Sequence, residues 1–142
     1  MSVSLRIIMD ALETIAPLRL AEGWDNVGLM VGSPEQTVKN VLVAVDLTAA
    51  VLAQAEKTGV DLIITHHPFI FSPLKSIRTD SAGGRMLARL IKADIAVYSA
   101  HTNLDAAVGG VSDVLAGKLG LTDVRPLVAD TGEKLVKLAV FV

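Results

Sequence analysis

The spacing of apolar side chains changes along the chain, and the change predicts its helices and strands. Leu5, Ile8 and Leu12 recur at helical spacing and Pro17 follows them, so residues 4–16 are predicted to form an amphipathic helix that stops at the proline. The other predicted elements are the strands Val27–Val31, Val41–Val45, Asp61–Thr65, Ile95–Ser99 and Leu135–Val142, the helices Ala49–Lys57, Ser81–Lys92 and Gly110–Leu119, and loops at 17–27 and 68–80.

The alternation of strands with helices determines the predicted fold class. The inner strands are nearly continuous apolar runs, which is typical of parallel strands that are buried on both faces. This order predicts an α/β protein in which helices cover both faces of a largely parallel sheet. A chain of 142 residues is long enough for one domain with a hydrophobic core.

The last predicted strand, Leu135–Val142, ends at the final residue of the chain. Domains seldom stop at the apolar end of a strand, because their termini usually lie in exposed polar segments. Residues 1–142 are therefore expected to be the N-terminal portion of an α/β domain whose C-terminal portion is absent. An unpaired apolar strand pairs readily, so we expect a homo-oligomer, at least a dimer; the alternative is a monomer in which this strand pairs beside Val27–Val31.

Composition narrows the classes of function. The chain has no cysteine, which excludes disulfides, thiolate metal sites and a cysteine nucleophile. A net charge of −2 and an aromatic content of 4% argue against nucleic-acid binding. The mean hydropathy is +0.53. No apolar run approaches the ~20 residues of a membrane span, and the N-terminus lacks the pattern of a secretory signal, so we expect no membrane association and a cytoplasmic location.

Polar side chains follow three of the predicted strands. The segments are Asp46-Leu47-Thr48, His66-His67-Pro68 and His101-Thr102-Asn103-Leu104-Asp105, and they contain all three histidines of the chain. In a parallel α/β sheet, ligands bind beyond the carboxyl ends of the strands. These segments are therefore the candidates for a functional site.

The adjacent histidines His66 and His67 suit metal binding only if the chain turns. Neighbouring side chains of an extended strand point to opposite faces, but at a strand end both rings can reach one crevice from different sides. That arrangement suits two metal ions, one for each imidazole. The competing interpretation is a pair of surface or packing histidines at the start of a loop.

His101 and Asp105 form the second candidate pair. If residues 101–105 are a loop, the carboxylate of Asp105 bends back to the same site and bridges two ions with its two oxygens. Thr102 and Asn103 are turn-forming residues that can fix such a loop through hydrogen bonds to the backbone. Alternatively, Asp105 or Asn103 is a turn or cap residue before the next helix. Imidazole combined with carboxylate favours zinc, iron, manganese or nickel over calcium.

The only tryptophan opens a third candidate segment, Trp24-Asp25-Asn26-Val27-Gly28. In one interpretation the indole covers the edge of the core. In the other, Asp25 or Asn26 lies at the rim of the histidine crevice. The pairs Gly83-Gly84 and Gly109-Gly110 lack the lysine or the spacing of phosphate-binding loops and are interpreted as glycines at helix starts.

Several motifs, taken together, are similar to those of one known family. The segments are Glu22-Gly23-Trp24-Asp25-Asn26-Val27-Gly28-Leu29, Asp46-Leu47-Thr48, Asp61-Leu62-Ile63-Ile64-Thr65-His66-His67-Pro68-Phe69-Ile70-Phe71 and Ala100-His101-Thr102-Asn103-Leu104-Asp105. They resemble the GTP cyclohydrolase I type 2 homologue family, also called NIF-three-like, and the similarity runs from about Leu5 to the C-terminus. The resemblance implies a three-layer α/β sandwich, a dinuclear metal site and a ring-shaped hexamer.

The resemblance also implies roles for individual residues. By position, His66 and His67 match two histidine ligands, one to each metal, and Asp105 matches an aspartate ligand. His101, Asp46 and Asp25 are expected to surround these ligands rather than bind the ions. The family completes its site with a histidine and a glutamate, four residues apart, near the C-terminus. This sequence has no histidine after His101 and no such partner for Glu133.

Two divalent ions, of iron, zinc or manganese, are thus implied for the full-length protein, and partial or no metal binding for this chain. The implied function is hydrolysis of a nucleotide or another phosphorylated small molecule, with water activated by the ions as the nucleophile. The alternatives are a non-enzymatic, metal-binding module with a regulatory or protein-interaction role, and a fragment without its own activity.

Overall fold

The structure, a computed structural model, describes residues 2–126. Its strands are β1 (Val3–Ser4), β2 (Gly28–Val31), β3 (Thr37–Val38), β4 (Val41–Ala44), β5 (Leu62–Thr65) and β6 (Ala96–Ser99). Its α-helices are α1 (Leu5–Ile15), α2 (Ala49–Thr58), α3 (Ala82–Lys92), α4 (Thr102–Ala106) and α5 (Val111–Lys118), and Leu18–Leu20 is a single 3₁₀ turn.

Hydroxyl side chains define the starts of the three longest helices. Ser4, Thr48 and Ser81 precede α1, α2 and α3, and each side-chain oxygen accepts a hydrogen bond from an N–H of the first turn. Such N-caps satisfy backbone donors that have no partner inside the helix. Helix α2 ends at Gly59, which adopts φ +65°, a left-handed conformation that glycine takes without steric cost.

Strands β2, β6, β5 and β4 form the main sheet in that order. The strands β4, β5 and β6 run parallel, and their registers place Thr65 opposite Ala44 on one side and Ser99 on the other. Strand β2 runs antiparallel to β6. Strands β1 and β3 form a separate antiparallel pair, which the apolar pattern did not predict.

Helices pack on both faces of this sheet and give two apolar layers. Buried Leu52 and Ala55 of α2 and Leu90 of α3 pack with Ile63 and Val97 on one face. On the other face, α1 contributes Leu5, Ile8, Met9 and Leu12, which pack with Leu62, Ala96 and Tyr98. The predicted fold class, an α/β sandwich of three layers around a largely parallel sheet, is confirmed.

Two features of the fold go beyond or differ from the expectations. Strand β2 runs antiparallel beside β6 at an outer edge of the sheet, a direction that the apolar pattern left open. Residues 102–106 form the short helix α4 rather than a loop, and the hydrogen bonds of its first turn begin at His101. The predicted strand Leu135–Val142 lies outside the described residues. Among residues 2–126, no helix is long and apolar enough to cross a membrane.

The sheet brings the candidate residues together at the carboxyl ends of its parallel strands. Asp46 follows β4, His66 and His67 follow β5, and His101 follows β6. Because these three strands are parallel and adjacent, their carboxyl ends meet at the same side of the sheet.

Candidate metal centre

The three histidines converge at the carboxyl ends of the parallel strands. One potential ligand atom from each of His66, His67 and His101 lies within 4.8 Å of the other two. The ring centroid of His66 lies 5.0 Å from that of His67 and 5.1 Å from that of His101, and the centroids of His67 and His101 are 5.6 Å apart. Both rings therefore reach the same crevice, as the metal-binding interpretation requires. This cluster could bind a metal ion.

A local turn of the backbone explains how two adjacent histidines share one crevice. Successive N–H groups of a regular strand point to opposite neighbours, but the N–H groups of both His66 and His67 donate to carbonyls on the β4 side, those of Ala44 (3.2 Å) and Val45 (3.0 Å). The hydroxyl of Thr65 holds this turn, because it donates to the His67 carbonyl at 2.8 Å. Thr65 also exchanges a 2.9 Å hydrogen bond with the buried Ser99 hydroxyl at the end of β6.

Each histidine uses its Nδ1 for a hydrogen bond to an acceptor. Nδ1 of His67 lies 2.7 Å from Oδ1 of Asp46, and Nδ1 of His66 lies 3.0 Å from the carbonyl oxygen of Ala100. Nδ1 of His101 lies 3.0 Å from both carboxylate oxygens of Asp25.

These contacts fix the tautomer of each neutral ring. A carbonyl or an ionised carboxylate accepts hydrogen bonds only, so the proton of each neutral imidazole sits on Nδ1 and the lone pair on Nε2. Metal-ligating histidines are commonly oriented in this way, with one nitrogen donating to a carboxylate or carbonyl and the other facing the ion. Asp46 and Asp25, predicted to surround the ligands, occupy the positions from which they orient His67 and His101.

Asp105 lies beside one member of the cluster, His66, and outside the group of three histidines whose ligand atoms lie within 4.8 Å of one another. It belongs to α4, and its Oδ1 is 3.6 Å from Nε2 of His66. With the proton on Nδ1, Nε2 and the carboxylate face each other as two acceptors without a hydrogen between them. An imidazole nitrogen and a carboxylate oxygen are both metal-ligand atoms, so His66 and Asp105 fit a metal ion.

Asp25 is the most constrained carboxylate of the site. Its side chain has no exposed surface. It accepts hydrogen bonds from His101, from the N–H and hydroxyl of Thr102, and from the N–H of Asn26. Burial by itself would raise the pKa of Asp25, but these hydrogen bonds outweigh burial and lower its pKa to about 2. The carboxylate therefore ties residues 22–26 to the start of α4.

Asn103 secures the other side of this start. Its side chain is completely buried. Its oxygen accepts from the His101 N–H at 2.9 Å, and its amide donates to the carbonyl of Ala16 at 2.7 Å. The expected hydrogen bonds to the backbone are present for Asn103 in these contacts and for Thr102 in its hydroxyl, which accepts from the Glu22 N–H at 3.0 Å, although they hold a helix and not a loop.

Trp24 does not cover the core. Its side chain is 62% exposed, and its ring contacts Phe71 and His101. The other interpretation, in which Asp25 or Asn26 lies at the rim of the histidine crevice, holds for Asp25, whose carboxylate is bonded to His101. Asn26 lies nearby, where its amide donates to the carbonyl of Ile70 at 2.6 Å.

Sequence reasoning did not identify Thr65, Ser99 or Phe71 as parts of the site. The sequence did contain a signal for Thr65 and Ser99. Each is a hydroxyl residue at the end of an apolar strand, and the two strands, β5 and β6, are neighbours. Phe71 lies in the loop after His67, where no periodicity places a side chain.

Comparison with known proteins identifies the family of this fold and site. A model of the Duf34/NIF3 (NGG1p interacting factor 3) family matches residues 3–139. This chain belongs to that family. Proteins called GTP cyclohydrolase 1 type 2 homolog are 44% identical to it in Halalkalibacterium halodurans, over 95% of this chain, and 44% identical in Bacillus subtilis, over 99% of this chain.

Solved structures share the fold. A Bacillus cereus protein related to NIF3 superposes with a TM-score of 0.81 at 45% identity, over 85% of this chain and 33% of its own. Reduced HcgD from Methanocaldococcus jannaschii superposes with a TM-score of 0.84 at 36% identity, over 90% of this chain and 51% of its own. The chain spans 36% of the Halalkalibacterium halodurans relative and 38% of that from Bacillus subtilis.

Proposed function

We propose that this chain is the N-terminal portion of a protein with a dinuclear metal centre that hydrolyses a nucleotide or another phosphorylated small molecule. The observation that carries the proposal is the convergence of three imidazoles. Their Nδ1 atoms are already hydrogen-bonded, which leaves the lone pair of each Nε2 free to bind a metal ion. The name of the curated relatives, GTP cyclohydrolase 1 type 2 homolog, supports a nucleotide as the first substrate class to test.

The proposed ligands are His66, His67 and Asp105. His101 is proposed to line the site, and its place in the same cluster puts it within reach of an ion as well. Nitrogen and carboxylate donors in this combination suit zinc, iron or manganese. Asp46 and Asp25 are proposed to hold the rings of His67 and His101 in one tautomer and one orientation.

When bound, divalent ions would supply Lewis acidity toward phosphate oxygens and water. The chain's own residues supply the frame for that chemistry. Asp46 and Asp25 hold two imidazoles, Thr65 holds the turn from which two of the rings project, and Asn103 holds the start of α4 with Asp105. A preorganised frame of this kind lowers the cost of arranging ligands and substrate for reaction.

Metal content and turnover test the proposal together. The full-length protein that contains this chain is purified, its metals are measured by elemental analysis, and phosphate release from a panel of nucleotides and sugar phosphates is followed before and after chelation and after return of manganese or zinc. Release that disappears with chelator and returns with metal supports the proposal, and Asp80→Asn, which alters a carboxylate paired with Arg78, should behave like wild type.

Two other outcomes would count against the proposal. Metal bound through the histidines without turnover on any member of the panel contradicts hydrolysis and favours the regulatory or interaction module. Absence of bound metal at millimolar zinc contradicts the metal centre itself.

We also propose that the chain forms a homo-oligomer, with a hexamer as the assembly implied by the family. Strand β4 supports this part of the proposal. It lies at the edge of the described sheet, and Val43 within it and Val45 directly after it are 76% and 60% exposed. Apolar edge strands are sites at which another chain can pair.

A further inference from the structure

We propose that Trp24 and Phe71 form an aromatic subsite that stacks on a planar heteroaromatic ring of the substrate. The inference rests on the proposed function, because it selects the ring-bearing class, such as nucleotides, from among phosphorylated small molecules. It adds a specificity site next to the histidine cluster.

The two rings lie beside the cluster and beside each other. The centroid of the Trp24 ring is 6.1 Å from that of Phe71, with the planes inclined by 53°. The same indole is 6.5 Å from the His101 ring, in an edge-to-face arrangement at 75°. Trp24 therefore lies between a candidate metal-binding imidazole and Phe71, and the pair extends the crevice with an apolar surface.

Both rings are exposed, yet their neighbours in sequence are firmly held. Trp24 is 62% and Phe71 50% exposed. Next to Trp24, Asp25 is bonded to His101 and Thr102, and its N–H donates to the Glu22 carbonyl at 2.9 Å. These bonds fix the backbone that carries the indole without using the indole itself.

A second bond holds the two ring-bearing segments together. The side-chain amide of Asn26 donates at 2.6 Å to the carbonyl of Ile70, which immediately precedes Phe71. The aromatic pair is thus positioned by polar contacts and leaves its apolar surface open. Burying an indole is normally favourable, so an indole held in place but left open is a surface suited to a ligand.

The position of the pair determines the class of ligand. A phosphate group would be attracted to cations held by the histidine cluster, while a planar ring attached to the same molecule would reach the adjacent aromatic surface. Aromatic side chains stack on all nucleobases, because every base presents a π face. A nucleoside phosphate combines both features, whereas a sugar phosphate has only the first.

Trp24 is the only tryptophan of the chain, so its fluorescence reports on this subsite alone. The zinc-loaded chain is titrated with guanosine monophosphate and, in parallel, with ribose phosphate, which lacks the ring. We expect saturable quenching by the nucleotide and little by ribose phosphate. Equal responses to the two compounds would overturn the subsite.

Variants test the two rings by calorimetry, which does not depend on fluorescence. Phe71→Leu keeps an apolar side chain without the ring, and Trp24→Ala removes the indole. Each should weaken binding of guanosine monophosphate roughly tenfold and leave ribose phosphate binding unchanged. Trp24→Phe, which retains a ring, should recover most of the affinity. Unchanged nucleotide affinity in Phe71→Leu and Trp24→Ala would contradict the proposal.

Accessibility and zinc binding separate this inference from its alternatives. Acrylamide should quench Trp24 strongly in the free chain; a protected, blue-shifted indole would show that another part of the chain or a second copy covers it, and would overturn the subsite. Zinc binding is measured in the same variants. Retained zinc binding with no ring-dependent effect rejects the subsite alone, whereas absence of bound metal from the full-length protein rejects the proposed function.

Discussion

Nδ1 of His67 lies 2.7 Å from Oδ1 of Asp46, so the Asp46 carboxylate orients the imidazole of His67. Asp46 comes after β4 and His67 after β5, and the parallel pairing of these strands brings them together across 21 positions of sequence. The contact keeps the Nε2 lone pair of His67 available to a metal ion.

Asp46→Asn should therefore weaken zinc binding. An amide can present its NH₂ group to Nδ1, which favours the other tautomer and places a proton on Nε2. Loss of such an orienting carboxylate typically costs roughly 10- to 100-fold in metal affinity. Calorimetric titration with zinc measures the change, starting from a wild-type affinity that we expect to be weaker than nanomolar.

The matched control for this change is Asp80→Asn. Asp80 is an exposed carboxylate paired with Arg78 in the loop before α3, outside the histidine cluster. Equal loss of zinc affinity in both variants would show that Asp46 acts only through the overall charge of the chain.

Thr65→Val should destabilise the turn that carries His66 and His67. The substitution keeps the shape of the side chain but removes the hydroxyl that bonds to the His67 carbonyl and to Ser99. Thr65 is 1% exposed, so water cannot easily replace these bonds. We expect a loss of about 1–3 kcal/mol in the free energy of unfolding, measured with urea.

Thr58→Val provides the comparison. The Thr58 hydroxyl is exposed at the end of α2 and bonds to the Gln54 carbonyl. Its removal should change the free energy of unfolding by less than about 0.5 kcal/mol. A similar effect of the two variants would mean that the buried hydroxyl pair contributes no special stability.

The contact between α2 and α3 should make stability depend on pH. Glu56 accepts two hydrogen bonds from Arg89, at 2.9 and 2.6 Å. The bond from Arg89 is the main reason that the pKa of Glu56 is lowered. A depressed carboxyl pKa contributes stability that is present above the unfolded value of about 4.3 and is lost as the pH falls through the folded value.

Glu56→Gln should accordingly lower the free energy of unfolding near neutral pH, and its effect should vanish once the pH has fallen below the folded pKa of Glu56. Urea denaturation across this range measures the difference. Arg89→Gln should produce a similar loss, and the double variant little more than either single change, because one interaction is removed in all three. A pH-independent effect of Glu56→Gln would contradict this account of the ion pair.

Self-association is expected from the exposed valines of β4. Light scattering at micromolar concentration should give a mass above 14.9 kDa that falls on dilution. Val43→Lys places a charge on this exposed strand and should shift the mass toward the monomer. A mass near 14.9 kDa across a tenfold dilution of the wild-type chain would contradict an oligomer.

Much of this architecture follows from local signals in the sequence. The inner strands β5 and β6 are apolar runs, and Gly59 and Pro17 mark helix ends, so these elements could be placed within one or two residues. The positions of the histidines after strands then predicted their common edge, since parallel strands end together.

Contacts between distant segments could not be predicted in this way. The bond between Asp25 and His101 joins residues 76 positions apart and depends on how the loop before β2 packs. Helix α4 has only five residues, and His101 gives it no side-chain cap, so no capping pattern in the sequence predicts this helix. His101 was expected to lie behind the ligands, but the geometry places it in the cluster itself.

X-ray absorption at the zinc edge tests the central claim most directly, because it reports the atoms bound to the ion. The zinc-loaded wild-type chain should show imidazole nitrogens together with oxygen ligands at about 2.0–2.1 Å, and the His66→Ala/His67→Ala variant should lose the imidazole signal and most of its zinc. An all-oxygen environment in the wild type, or unchanged zinc content and spectrum in the double variant, would show that the histidine cluster is not the metal centre.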